Sequence, residues 1–346
     1  LLMGVLILPI VSGQESTEST VTANLGAIKE YALDNALVMR DATQEYAATA
    51  QAYYDLVAGY DFDYQAAWDA DSEALTQLIT DARAAWVTAS VHYGLDEGIV
   101  SGVSSLAYYD VWIDAGAPAS EDPEALQWSL ELPDGEVLES PGNFFHNLTE
   151  PALWGTHPDF IGLEADLNGD GEITLSEALP EANIFLGAAL GLDGATAEMI
   201  DAIEAWEPTL EDAFTALVIM VPTMNEYFGQ WKESAYIAGD DSESESFIAL
   251  SRLVDISGIL NGLDLAYDQV GPLVAEKDSD LHAQIDINFN TLLTFVNDLY
   301  TQEQDGVVFT GEEADFYGGE AQRQAETLAA LLSQAADTLD LTLELE

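Results

Sequence analysis

The chain has 346 residues, with 64 Asp and Glu against 7 Lys and Arg, a formal net charge of −57, no cysteine and 48% hydrophobic residues. So few cations exclude the usual nucleic-acid binder, which displaces phosphate counterions with Lys and Arg, and they disfavour direct binding to an anionic membrane surface. Without cysteine there are no disulfides, thiolate ligands or Cys nucleophiles, so a metal must be held by oxygen and imidazole. The apolar content argues against disorder, and the length suits about two domains of roughly 150 residues each.

In chain order, Leu1 to Val11 reads LLMGVLILPIV, apolar and uncharged, followed by Ser12-Gly13-Gln14. The stretch is too short to span a bilayer. It has the character of a secretory h-region with small residues at its end; a buried N-terminal helix is the alternative. Residues 1–13 are therefore taken as a signal-peptide remnant and 14–22 as a linker, placing the protein outside the cytoplasm, secreted, periplasmic or at the cell surface. The acidity fits a salty, halophilic or marine exterior, where screening reduces self-repulsion.

Helical periodicity dominates the rest. Leu25, Ile28, Tyr31, Ala32, Ala36 and Met39 share a face within Thr22–Leu56. Ala66–Tyr93, Leu250–Val274, Leu281–Leu299 and Ala321–Leu339 repeat the three-and-four spacing. Period-2 alternation is scarce. Gly116–Pro123, Leu132–Gly142 and Gly155–Pro180 read as irregular connections. The expected fold is all-α, with long antiparallel helices in two four-helix-bundle-like halves. The first half covers 23–190 and the second 191–346.

Within the third connection, Asp166-Leu-Asn168-Gly-Asp170-Gly171-Glu172-Ile173-Thr174-Leu-Ser-Glu177 matches the D-x-[DN]-x-[DN]-G-x5-E calcium-loop pattern without a gap. Asp166, Asn168 and Asp170 offer side-chain oxygens, Glu172 its carbonyl, Thr174 a hydroxyl or bridging water, and Glu177 a bidentate carboxylate. Gly171 permits the sharp turn, and Ile173 is the expected apolar plug. An inserted EF-hand-like Ca2+ loop follows, serving as a structural staple because Pro180 cuts any exit helix short.

The chain has four histidines. His146 and Glu150 are four apart, on one helical face, and imidazole with carboxylate suits iron, zinc or manganese. Pro151 disfavours the helical conformation at Glu150 unless the helix bulges or begins there. The run Phe144-Phe145-His146-Asn-Leu-Thr149-Glu150-Pro151-Ala-Leu-Trp154-Gly155 resembles the imelysin-like family, which includes EfeO-type iron-uptake components and carries a peptidase label. The family hallmark is Gly-x-His-x-x-Glu followed by Leu-Trp/Phe-Gly. Here one residue, Thr149, is inserted, and Phe144 replaces the glycine. Ala82-Arg83-Ala-Ala-Trp86, with Tyr93, Gly94 and Glu97 downstream, is similar to the family's Ala-Arg-x-x-Trp helix. Val274–Leu281 and Ile285-Asp286-x-x-Phe289 resemble its C-terminal bundle. The acidic run Asp240–Glu245 lies near where EfeO-type proteins carry an acidic segment.

The resemblance implies a pair of helical bundles, a metal held by His146 and Glu150 with Glu97 as third ligand, and extracytoplasmic iron capture. It also implies a partner such as a membrane permease or another iron-uptake component. No H-E-x-x-H is present, so the reading is metal capture rather than turnover. Two alternatives remain open: a calcium-stabilised surface or interaction module whose metal site has decayed, and a metallopeptidase. Charge alone makes a test. The melting temperature should climb as a monovalent salt rises from dilute to molar, because screening relieves repulsion. A flat curve would remove the argument for a salty habitat.

Overall fold

A computed structural model describes residues 22–239, 242 and 244–343. The expected signal remnant 1–13, residues 14–21, and Asp240, Asp241 and Glu243 of the acidic run lie outside that set. Among the described residues, no helix is long and apolar enough to cross a membrane.

Most of the described chain is helical, as its periodicity dictates. Helix α1 (Leu25–Ala58) and helix α2 (Tyr64–Val100) form an antiparallel pair, with Asp63 accepting from the Ala66 N–H to start the second. Helix α3 (Ala107–Asp110) runs straight into a π-helical turn, Val111–Ala115. A short hairpin follows, β1 (Ser129–Glu131) with β2 (Val137–Glu139), then a second π-helical turn at Phe145–Thr149 and helix α4 (Glu150–Trp154). Strands β3 (Ile161–Glu164) and β4 (Ala178–Pro180) pair antiparallel. Then come α5 (Ala182–Ala205), α6 (Leu210–Met220), α7 (Met224–Glu233) and α8 (Ala235–Ala238). The last three helices, α9 (Arg252–Lys277), α10 (Ser279–Gln304) and α11 (Gly311–Thr338), are the long C-terminal rods.

Helix α1 packs on α2 and α5, while α9 packs on α10, and α11 on α10, α7 and α6; α2 against α9 joins the two groups. The boundary expected at 190 falls inside α5, which continues unbroken to Ala205. Helix α11 begins ten residues before the expected start, at a capping box of Thr310 and Glu313. Its first turns bury only small residues, Ala314 and Gly318, so they carry little hydrophobic periodicity. Two of the connections expected to be irregular carry the short strands.

The calcium-loop segment is not framed as an EF-hand. It hangs between β3 and β4 rather than between two helices, with Pro180 paired to Ile161. Ile173, the expected plug, is 54% exposed.

The α2–α9 crossing is close because glycines line it. A Cβ on Gly262 would lie 2.5 Å from the Leu95 carbonyl oxygen, and one on Gly258 2.9 Å from the Gly94 backbone. On Gly98 it would meet the Leu263 side chain at 2.8 Å. This seam sets Glu97 beside the start of α9. In an exposed helix interior, Gly→Ala stabilises by roughly 0.5–1 kcal/mol; at the seam, overpacking of about 1–3 kcal/mol should win. Gly262→Ala should therefore lower stability in urea unfolding. Gly194→Ala on α5, where nothing lies within 4 Å of the added carbon, should raise it. Stabilisation by both would mean the seam is loose.

Candidate metal centre

The two π-helical turns place the first pair of donors. In the second, the Thr149 N–H bonds the Phe144 carbonyl and the Glu150 N–H reaches Phe145, both five residues back. The wider turn absorbs the extra residue, so Glu150 stays helical at φ −66°, ψ −52°. Pro151 sits in the first turn of α4, where its missing N–H costs nothing. Thr149 is the peg of the turn: its hydroxyl donates to the Phe144 carbonyl and accepts from the buried Trp86 indole N–H at 2.8 Å. Gly142 holds φ +95°, and a Cβ there would collide with Asn147 at 2.2 Å. The first π turn, closed by Gly116 N–H on Val111, presents Asp114.

His146 lies between two carboxylates. Its Nδ1 is 2.8 Å from Glu150 Oε2 and its Nε2 is 3.1 Å from Asp114 Oδ1. Burial works against a charged ring, but Asp114 and then Glu150 override it and push its pKa up to about 10. Glu150 has no exposed surface. Its Oε1 accepts from the Ile248 and Ala249 N–H groups at 2.8 and 2.9 Å, and its Oε2 from Phe247 N–H at 3.0 Å as well as from His146. These four bonds fill the carboxylate's lone-pair directions. The strand of chain after the acidic run is thereby laced across the site, with Ser246 Oγ donating to the His146 carbonyl at 2.7 Å.

Glu97, 3% exposed on α2, faces the other side of the same cleft. Oxygens of Glu97, Asp110 and Asp114 lie within 4.8 Å of one another. Burial pushes the Glu97 carboxyl well up, Asp114 adding and Arg252 opposing. Burial and Asp114 raise Asp110 to about 6, against hydrogen bonds from Tyr93 and Ser101. Burial works against ionised Asp114 too, yet His146 holds its carboxyl below the usual range. Arg252, the first residue of α9, adds a buried cation beside Asp255 and Glu97. The cleft has a volume of about 490 Å3.

Sequence reasoning found His146, Glu150 and Glu97 and missed Asp110, Asp114, Arg252 and Asp255. Asp110 and Asp114 stand four apart in the aromatic run Tyr108-Tyr-Asp-Val-Trp-Ile-Asp114, and two acids in so apolar a segment were the available signal. Arg252 is one of only seven cations, placed at the head of an apolar helix.

The loop 166–177 folds on its own acids. Asp166 accepts from the Gly169, Asp170 and Gly171 N–H groups, and Glu177 from those of Asn168 and Thr174. Gly169 and Gly171 take φ of +77° and +92°. Arg83 ties the loop to the centre, donating to the Ser176 carbonyl at 2.6 Å and the Leu153 carbonyl at 3.0 Å while lying over the Trp154 ring.

Helical packing around a buried imidazole–carboxylate cluster defines the class: an all-α protein built about a polar centre. The family model for imelysin, of the M75 peptidase grouping, matches residues 150–339. That is more than half of the chain, and the chain belongs to this family. The match takes in Glu150, Arg252 and Asp255, and leaves Glu97, Asp110, Asp114 and His146 N-terminal to it. No curated protein matches the chain.

Glu150 gives a structural prediction. Glu150→Ala leaves three backbone N–H groups and His146 Nδ1 without an acceptor and should cost on the order of 3–5 kcal/mol. The amides of Phe247, Ile248 and Ala249 should lose protection in hydrogen exchange. Unchanged protection there would show that the strap is held by other contacts.

Proposed function

We propose that the protein captures a transition-metal ion, iron foremost, outside the cytoplasm, and that Asp166–Glu177 holds a structural Ca2+. One observation carries the metal reading: His146, Glu97, Asp110 and Asp114, all buried, line one cleft. Three carboxylates alone would favour a hard ion such as Ca2+ or Mg2+; the imidazole shifts the preference toward iron, zinc or manganese. Membership of the imelysin family supports a metal-related role. In this reading oxygens of Glu97, Asp110 and Asp114 form the core of the ligand set, and His146 Nε2, now bonded to Asp114, joins them on giving up its proton. Glu150 acts from behind, fixing the ring through Nδ1 as outer carboxylates do for metal-bound histidines. The surface charge raises the local concentration of cations near the cleft. Delivery onward falls to a membrane permease or another uptake component.

Anaerobic titration of Fe2+ into the chelator-stripped chain tests the centre. His146→Ala and Glu97→Gln should each weaken binding by at least about tenfold, and Glu150→Gln by roughly 10–100-fold through loss of ring orientation. Glu177→Gln should leave iron binding intact. Unchanged iron affinity in His146→Ala would sink the capture reading and leave the calcium-stabilised module in its place.

The Ca2+ reading has its own measurement. A ligand that binds only the folded state raises the melting temperature in proportion to RT ln(1 + [L]/Kd). Added Ca2+ should therefore stabilise the wild-type chain and His146→Ala alike, and Glu177→Gln much less, since it loses the bidentate ligand. Identical melting of wild type and Glu177→Gln with and without Ca2+ would make the segment a turn only.

A further inference from the structure

The cleft shared by the four donors is far larger than an ion. At about 490 Å3 it exceeds the roughly 30 Å3 that one water occupies in the liquid by more than tenfold. Its wall contains one guanidinium, that of Arg252, which is 3% exposed. Arg252 is fixed from three sides. Its Nε donates to Gln230 Oε1 at 2.8 Å and its Nη1 to Asp255 Oδ2 at 3.1 Å. The rings of Tyr227 and Phe247 flank the guanidinium at 4.5 and 4.9 Å.

The remaining nitrogen, Nη2, has no hydrogen-bond acceptor among the described residues; it is ion-paired with Glu97 Oε1 at 3.8 Å, beyond hydrogen-bond reach. A buried guanidinium normally satisfies its whole fork. Here one prong is left over, in the wall of the cleft that holds the donors. A planar carboxylate is the group that fits it.

An anion alone would be repelled by Glu97, Asp110 and Asp114. A cation among those three reverses the sign. Three carboxylates and one imidazole would supply as few as four donor atoms, so an ion that takes six would have room for oxygens from a second ligand. We infer that the cleft takes its metal together with a small carboxylate oxyanion, one oxygen seated on Arg252 Nη2 and another on the ion. This rests on the metal reading above and names the form of the cargo: a one-to-one complex of ion and chelator, small enough for the cleft and not strongly negative.

The sign of a single effect decides it. In solution, oxalate chelates Fe2+ and would lower its apparent affinity for a site that takes the bare ion. If the cleft takes the complex, oxalate raises the apparent affinity instead, by at least about fivefold, and Fe2+ does the same for oxalate, because coupling is reciprocal. The full chain, stripped of metal in a non-coordinating buffer, is dialysed anaerobically against Fe2+ with labelled oxalate, with bicarbonate in its place, or with neither. The expected result is one anion retained per chain only when Fe2+ is present, and the two anion arms tell an organic acid from dissolved carbonate. Arg252→Lys keeps the charge but loses the fork, and should lose the enhancement, read as the ratio of its own Fe2+ affinity with and without oxalate. If that variant does not fold, the wild-type sign still stands as the test. Fe2+ that binds alone and is only weakened by both anions overturns the inference and leaves the metal reading intact. Failure of Fe2+ to bind in any arm overturns both.

Discussion

A carboxylate with no access to water is costly unless its lone pairs are occupied, and at Glu150 they are. Three successive backbone N–H groups, from Phe247, Ile248 and Ala249, and the imidazole of His146 occupy them. Segments about a hundred residues apart are thus drawn to one side chain. The lacing holds the stretch after the acidic run over the centre. It also turns the imidazole so that its second nitrogen faces Asp114. Loss of any one partner would strand the others in a medium where an unpaired charge is costly.

Two departures from ideal helix geometry make that arrangement possible. Each π-helical turn inserts a residue into a helical run, widening it and changing which way the following side chains point. One turn delivers Asp114 and the other His146, and Thr149 pegs the second through Trp86. Helix α2 brings Glu97 to the same place only because glycines let it approach α9 so closely. The centre is therefore a product of backbone contacts at least as much as of its ionisable groups. Arg83, lying between Ser176 and Leu153, carries the same logic outward: one of the few cations fastens the acidic loop to the helix behind the histidine.

The carboxylates of the cleft divide by environment. Asp114 beside His146 is held in its charged form, whereas burial drives Glu97 upward and Asp110 to about 6. Adjacent acids are thus biased toward different protonation states by their neighbours alone. Ligands must be deprotonated to bind an ion, so a cation entering the cleft would have to displace protons from the raised Glu97 and from His146, and would supply the charge that burial otherwise penalises.

The long helices were legible in the sequence because each buries a stripe of side chains spaced at three and four, a signal confined to one segment. The pattern Asp166–Glu177 and the pair His146 and Glu150 were legible for the same reason, since their partners lie within a dozen residues. The frame of the acidic loop was not: Gly155–Pro180 read as an irregular connection, but two short strands hold the loop. Neither were the distant partners of Glu150. Its spacing from His146 read as a pair of ligands, and only the tertiary structure supplied the three N–H groups that occupy it. Asp110, Asp114 and Arg252 sit in segments whose local pattern shows only charges in apolar surroundings. What they do depends on chain far away along the sequence. Sequence by itself determined the helical class, because periodicity is local; the tertiary structure alone decided the centre, because a buried charge takes its meaning from whichever distant groups surround it.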